Sequence, residues 1–150
     1  MAEKPWPLVR APSVPLHRRG PRVAALFAFE ASLPDRCATR DALAHVLALT
    51  AARRCAWYDL AAAEHRGRPR YFISHAWGRP LRETLRSVAS VVAPDALVWF
   101  DLLCLNPHRA KAPSELRQLA ATVERVGALV LVANPWHAPA SLARVWCLYE

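Results

Sequence analysis

Beyond residue 70 the chain alternates short, dense apolar runs with longer stretches in which apolar residues recur every three or four positions. Tyr71-Phe-Ile-Ser74 is the first run, bounded by Gly67 and Pro69 before it and by Gly78 and Pro80 after it, and it reads as a strand. Leu81, Leu85, Val88 and Val92 then mark one face of a helix that ends near Pro94. Ala96-Leu-Val-Trp-Phe-Asp101 is almost continuously apolar, as a parallel strand covered on both faces should be. The stretch from Asp101 to Pro113, containing Asn106-Pro107-His108, reads as a long loop. Ser114 with Arg117 begins a helix carrying Leu116, Leu119, Val123 and Val126, with Gly127 at its end. Ala128-Leu-Val-Leu-Val-Ala133 reads as a third buried strand. Ser141 is then a candidate cap for a last helix, with Leu142, Val145, Trp146 and Tyr149 on one stripe.

Three alternations of strand and helix predict parallel strands with right-handed crossovers, hence an α/β protein built on a doubly wound parallel sheet over residues 70–150. The series stops at Glu150 in mid-helix without a cap, so the sheet reads as incomplete at the C-terminus. Residues 23–69 read as a helical N-terminal segment. Leu43, Val46, Leu47 and Leu49 predict a helix over about residues 39–52, capped by Thr39 or Asp41. Cys55-Ala-Trp-Tyr-Asp-Leu60 fits either a short strand or a helix start. Residues 1–22 hold five of the 13 prolines and read as a disordered Pro/Arg-rich arm.

Composition narrows the function classes. At 150 residues and 54% hydrophobic content, the chain has room for one domain with a real core and a tail. Basic residues outnumber acidic ones 20 to 12, yet most of the excess falls in residues 1–70. No stripe of arginines interleaved with aromatics appears, so nucleic acid is not an expected partner. No apolar stretch is long enough to span a bilayer. Val23-Ala-Ala-Leu-Phe-Ala-Phe29 follows three arginines as a targeting segment would, but Glu30 interrupts it and serine is sparse. Cys37, Cys55, Cys104 and Cys147 are scattered, which suggests neither a zinc site nor a disulfide framework and fits reduced thiols in the cytoplasm.

Three phrases carry the chemistry: Phe72-Ile-Ser74 extended through His75-Ala76-Trp77-Gly78, then Trp99-Phe100-Asp101, then Trp146-Cys147-Leu148-Tyr149-Glu150. In this order they resemble a Toll/interleukin-1 receptor (TIR) domain, in a divergent form found in microbial eukaryotes. The resemblance covers about residues 70–150 and implies a flavodoxin-like sheet. It further implies that the intact domain is an NAD+ glycohydrolase, with Glu150 as the catalytic carboxylate. Such a group suits the reaction, because loss of nicotinamide from ribose develops oxocarbenium character that a nearby carboxylate stabilises. Ser74, His75, Trp77, Gly78, Arg79, Asp101 and Trp146 are the implied substrate-binding residues, with Trp77 stacking on a ring and Arg79 pairing with a phosphate. NAD+ would be substrate, and no cofactor is expected; the chain also lacks the Gly-x-Gly-x-x-Gly turn of a dehydrogenase-type cofactor site.

The residues leave other roles open. Asp101 fits a loop-fixing role as well as a catalytic one, and His75 a structural hydrogen bond as well as a ligand contact. Trp99 and Trp146 suit core positions, whereas His108 and His137 suit loop surface. The family resemblance equally implies a non-enzymatic interaction module with TIR-type self-association, for which the apolar residues 102–105 are a candidate docking surface. A third reading is another flavodoxin-like binder, such as a nucleoside-processing transferase.

Overall fold

The computed structural model describes residues 14–109 and 113–143. Its centre is a three-stranded parallel sheet in the order β4 (Val98–Trp99), β3 (Tyr71–Ser74), β5 (Leu129–Leu131). Tyr71 and Phe72 pair with Val98 and Trp99 on one side, and Phe72, Ile73 and Ser74 pair with Leu129, Val130 and Leu131 on the other. The first strand of the alternating series is therefore the middle strand, and chain direction away from it reverses between β4 and β5. Both crossovers are helical, as parallel neighbours require: α3 (Leu81–Ala89) joins β3 to β4, and α5 (Pro113–Val126) lies between β4 and β5.

Alternation along β3 sends its side chains to two different cores. Ile73 joins Val98, Phe100 and Val132 against α1 (Val23–Ala31), α2 (Thr39–Thr50) and α3. Phe72 faces the other way, with Trp99, Cys104 and Leu119 of α5. The Phe72 and Trp99 rings stack, centroids 4.5 Å apart and planes 8° off parallel. Helices thus cover both faces of the sheet.

Residues 23–29 belong to α1, which is apolar on nearly every side and packs on α3 in the same core as the sheet. Its first amides are satisfied from outside the helix, Val23 N donating to the Ala96 carbonyl and Ala24 N to Pro94. Of the arm expected over residues 1–22, residues 14–22 are ordered. Leu16–Arg18 forms a 3-10 turn, and β1 (Gly20–Pro21) pairs antiparallel with β2 (Arg66–Gly67). Only glycine fits at position 20, where an added Cβ would lie 2.8 Å from the Pro69 nitrogen. Arg19 is buried and holds the segment down, its Nε donating to the Val14 carbonyl and its Nη1 to that of Cys104, with the Asp59 carboxylate 3.7 Å away.

Other expectations change in tertiary context. The ambiguous run at residues 55–60 is a 3-10 turn, Trp57–Asp59. Asp101–Cys104, read as loop, is one helical turn, α4, which buries Leu102, Leu103 and Cys104 completely or nearly so. These residues fill the core and so do not form the expected docking surface. The remainder of that loop is pinned to the end of α2: Asn106 Nδ2 donates to the Arg54 carbonyl, and half-buried His108 lies with Nε2 2.8 Å from Thr50 Oγ1. Strand β5 was expected to be buried, but Leu129 and Leu131 are 47% and 38% exposed. It is the edge of the sheet, and no described element covers those two side chains. Gly127 ends α5 as the sequence predicts, with a φ of +81° that favours glycine. Ser141 Oγ donates to the Val132 carbonyl, and residues 144–150, where the last helix is expected, lie outside the described residues.

The second core makes Cys104 chemically inert. Burial pushes its thiol pKa up to about 12, while its Sγ–H donates to the Arg19 carbonyl at 3.1 Å. Because the thiolate is the nucleophile, iodoacetamide at pH 8 should leave Cys104 unmodified in the native protein and label it after denaturation. Peptide mass mapping checks this, and labelling of Cys104 at native rates would contradict the packing described.

Candidate functional site

The loop leaving the carboxyl end of β3 meets the end of β4 at one carboxylate. Asp101 Oδ1 lies 2.9 Å from His75 Nε2 and also accepts the Leu102 amide at 2.7 Å, while Oδ2 accepts the Trp77 indole N–H at 2.6 Å. The His75 ring is fully buried and stacks on Phe100, centroids 4.4 Å apart and planes 7° off parallel. Burial opposes the charge on Asp101, but the neighbouring His75, the hydrogen bonds from His75 and Trp77, and the Leu102 amide together hold its pKa below the ordinary carboxylate value. An ionised Asp101 makes His75 Nε2 the donor.

The backbone of this loop is held from the opposite side by α2. Thr39 N donates to the Arg79 carbonyl and Arg40 N to the Trp77 carbonyl, while Leu81 N donates to the Cys37 carbonyl. The loop carbonyls therefore satisfy the first amides of α2, replacing the side-chain cap expected from Thr39 or Asp41. Nothing in the local sequence around Thr39 signals this docking, because the acceptors lie almost forty residues farther along the chain.

The expected site residues divide into groups. Ser74, His75 and Asp101 gather at the carboxyl ends of β3 and β4 with Trp77, although three hydrogen bonds already occupy the Asp101 carboxylate. Ser74 Oγ is buried with no hydrogen-bond partner among the described residues. Gly78 is exposed in the same loop, and a Cβ added there would meet open space, so no close approach demands glycine. Arg79 turns to α3, where its Nη2 pairs with Glu83 at 2.5 Å. Trp146 and Glu150 lie outside the described residues.

Arg79 also lines an open cleft of about 500 Å3 between the outer face of α3 and the loop after β5. Glu83, Arg86 and Ser87 form its helical wall, and Asn134 closes the other side, donating through Nδ2 to Ser87 Oγ at 2.6 Å. Two guanidinium groups beside one carboxylate give it an anion-accepting balance. Sequence reading picked out Arg79 but missed Arg86 and Asn134, since only the β3–β5 pairing brings the loop after β5 to α3. No group of three or more metal-ligating side chains occurs among the described residues, and no helix there is long and apolar enough to cross a membrane.

The chain is an α/β protein with a small parallel sheet whose first loop is fixed by a partly buried His–Asp–Trp cluster. No family model, curated protein or solved structure matches it.

Proposed function

We propose that this chain is a TIR-like domain with a flavodoxin-like sheet, and that it cleaves NAD+ to nicotinamide and an ADP-ribose product. The observation that carries the reading is the strand order. A sheet whose first strand lies between its second and third opens a crevice at the carboxyl ends of the strands, where α/β proteins bind ligands. The Ser74–Arg79 phrase leaves β3 at that end. The cleft beside it offers Arg79 and Arg86 to a diphosphate.

In this mechanism Glu150 supplies the carboxylate that stabilises the oxocarbenium-like ribose as the bond to nicotinamide breaks. The leaving group departs as neutral nicotinamide, because the pyridinium already carries the positive charge, so no strong general acid is needed; water then bonds to the ribosyl carbon and loses its proton to solvent, giving ADP-ribose. Asp101 acts indirectly by holding His75 and Trp77 and thereby shaping the first loop. The protein should release nicotinamide from NAD+, and Glu150→Gln should reduce release to the rate without protein. Chromatographic product analysis decides the matter: no turnover in either protein counts against a glycohydrolase, and equal turnover in the two counts against Glu150 as its carboxylate.

The exposed edge favours a second reading, a TIR-type interaction module that self-associates. Leu129 and Leu131 on β5 and Trp136, 84% exposed on the following loop, form an apolar margin beside unpaired strand edge. Sedimentation velocity should show concentration-dependent association that Leu131→Lys suppresses. A protein that stays monomeric throughout would remove this reading.

A further inference from the structure

Helix α5 presents a basic wall toward the Leu16–Arg18 turn. Arg117 and Arg125 line a cleft of about 550 Å3 whose opposite wall is the Leu16–Arg18 turn, including His17. The charges of Arg125, Arg18 and Arg68 all act on the His17 ring. These groups come from three separate parts of the chain.

Among the described residues only three arginines meet a carboxylate. Arg19, Arg79 and Arg82 each meet a carboxylate, whereas Arg18, Arg68, Arg117 and Arg125 pair with none among the described residues. Arg125 Nη1 instead lies 3.3 Å from His17 Nδ1. A guanidinium has only donors, so His17 Nδ1 accepts, and the neutral ring keeps its proton on Nε2. Slight burial first, and then the surrounding arginines, push the His17 pKa down. Like charges gathered at one wall raise the free energy of the empty cleft, and an anion relieves that cost.

The wall is also rigid. The buried Trp99 indole donates to the Leu16 carbonyl at 3.1 Å, and the turn closes through Arg18 N to Pro15 O and Arg19 N to Leu16 O. A rigid basic surface loses little freedom on binding. Arg117 and Arg125 stand eight residues apart, roughly 12 Å along the axis at ~1.5 Å per residue. Linked phosphates offer an acceptor group to each of the two forks at that spacing.

We propose that the cleft between α5 and the Leu16–Arg18 turn is an anion site for a soluble ligand carrying two linked phosphates. It involves neither Glu150 nor the loop after β3, so its fate is separate from that of NAD+ cleavage. Inorganic pyrophosphate is the probe, titrated calorimetrically into the full chain at fixed ionic strength. Pyrophosphate should bind more tightly than orthophosphate. The Arg117→Gln/Arg125→Gln double variant should weaken binding at least ~10-fold, about 1.4 kcal/mol, while Arg53→Gln should not change it. Arg117→Gln alone repeats the test without disturbing the His17 contact, and should also weaken binding. Thermal midpoints of both variants should equal or exceed that of the parent, because the side chains removed are exposed and meet no carboxylate among the described residues. The proposal is overturned if the parent does not bind pyrophosphate, if the double variant binds it equally well, or if binding is lost in Arg79→Gln instead. Tighter binding of a short DNA duplex at the same ionic strength would also overturn it, marking a nucleic-acid face.

Discussion

Asp101→Ala should cost the fold about 3–5 kcal/mol, because the carboxylate satisfies three donors and a stranded donor costs about 1–3 kcal/mol. The Asp101 carboxylate accepts from His75, Trp77 and the Leu102 amide, and alanine leaves all three donors facing space that no other described side chain fills. Asp101→Asn should cost less, about 1–2 kcal/mol. Its amide oxygen can still accept from Trp77, while its NH2 can face a His75 ring that has moved its proton to Nδ1; only the Leu102 amide then loses its acceptor. The order parent, Asn, Ala in denaturant midpoint is the expected result. An alanine variant within half a kcal/mol of the parent would mean that the cluster does not hold the loop.

The same carboxylate links stability to pH. Its folded pKa is depressed, so the unfolded chain takes up the proton first as pH falls. Its contribution is fully present above the unfolded value of about 3.9 and is lost as pH drops through the lower folded value. Acid unfolding of the parent should therefore steepen below pH ~4, and that limb should flatten in Asp101→Asn. Circular dichroism at stepped pH compares the two directly. Equal acid limbs would show that other carboxylates dominate.

Trp99→Ala should be equally severe, about 3–5 kcal/mol, the usual range for truncating a buried aromatic to alanine. Trp99 is fully buried, stacks on Phe72, and fixes the Leu16 turn through its indole N–H. Trp99→Phe separates these roles. It keeps a ring against Phe72 but withdraws the donor from the Leu16 carbonyl, at an expected cost of about 1–3 kcal/mol from the smaller ring and the stranded acceptor. Chemical denaturation should rank Ala well below Phe. If the two variants unfold together, the hydrogen bond to the turn is the dominant contribution and the ring stack a minor one.

Much of the α/β alternation was legible because each strand and helix is signalled by its own residues. Tyr71–Ser74 has the expected bounds, and the helices at Thr39–Thr50, Leu81–Ala89 and Pro113–Val126 follow their apolar periodicity. Less was legible wherever a partner distant in sequence decides the outcome. Residues 101–104 read as loop because four residues are too few to show a helical period, yet Leu102, Leu103 and Cys104 are drawn into the two cores. Leu129 and Leu131 belong to a run as apolar as a central strand, but their position at the sheet edge leaves them exposed. The segment at residues 14–22 reads as a proline-rich arm until Arg19, Trp99 and the β1–β2 pairing hold it in place.

The candidate site divides along the same line. Sequence by itself determined the chemical types at the first loop and the order of the phrases that carry them, since those are properties of residues and spacing. Tertiary structure alone decided that Asp101 receives both His75 and Trp77, and that Arg125 meets His17 across one cleft. Such pairings depend on strand order and helix packing, which bring together residues from 24 to more than 100 positions apart, and no local pattern encodes contacts at that separation.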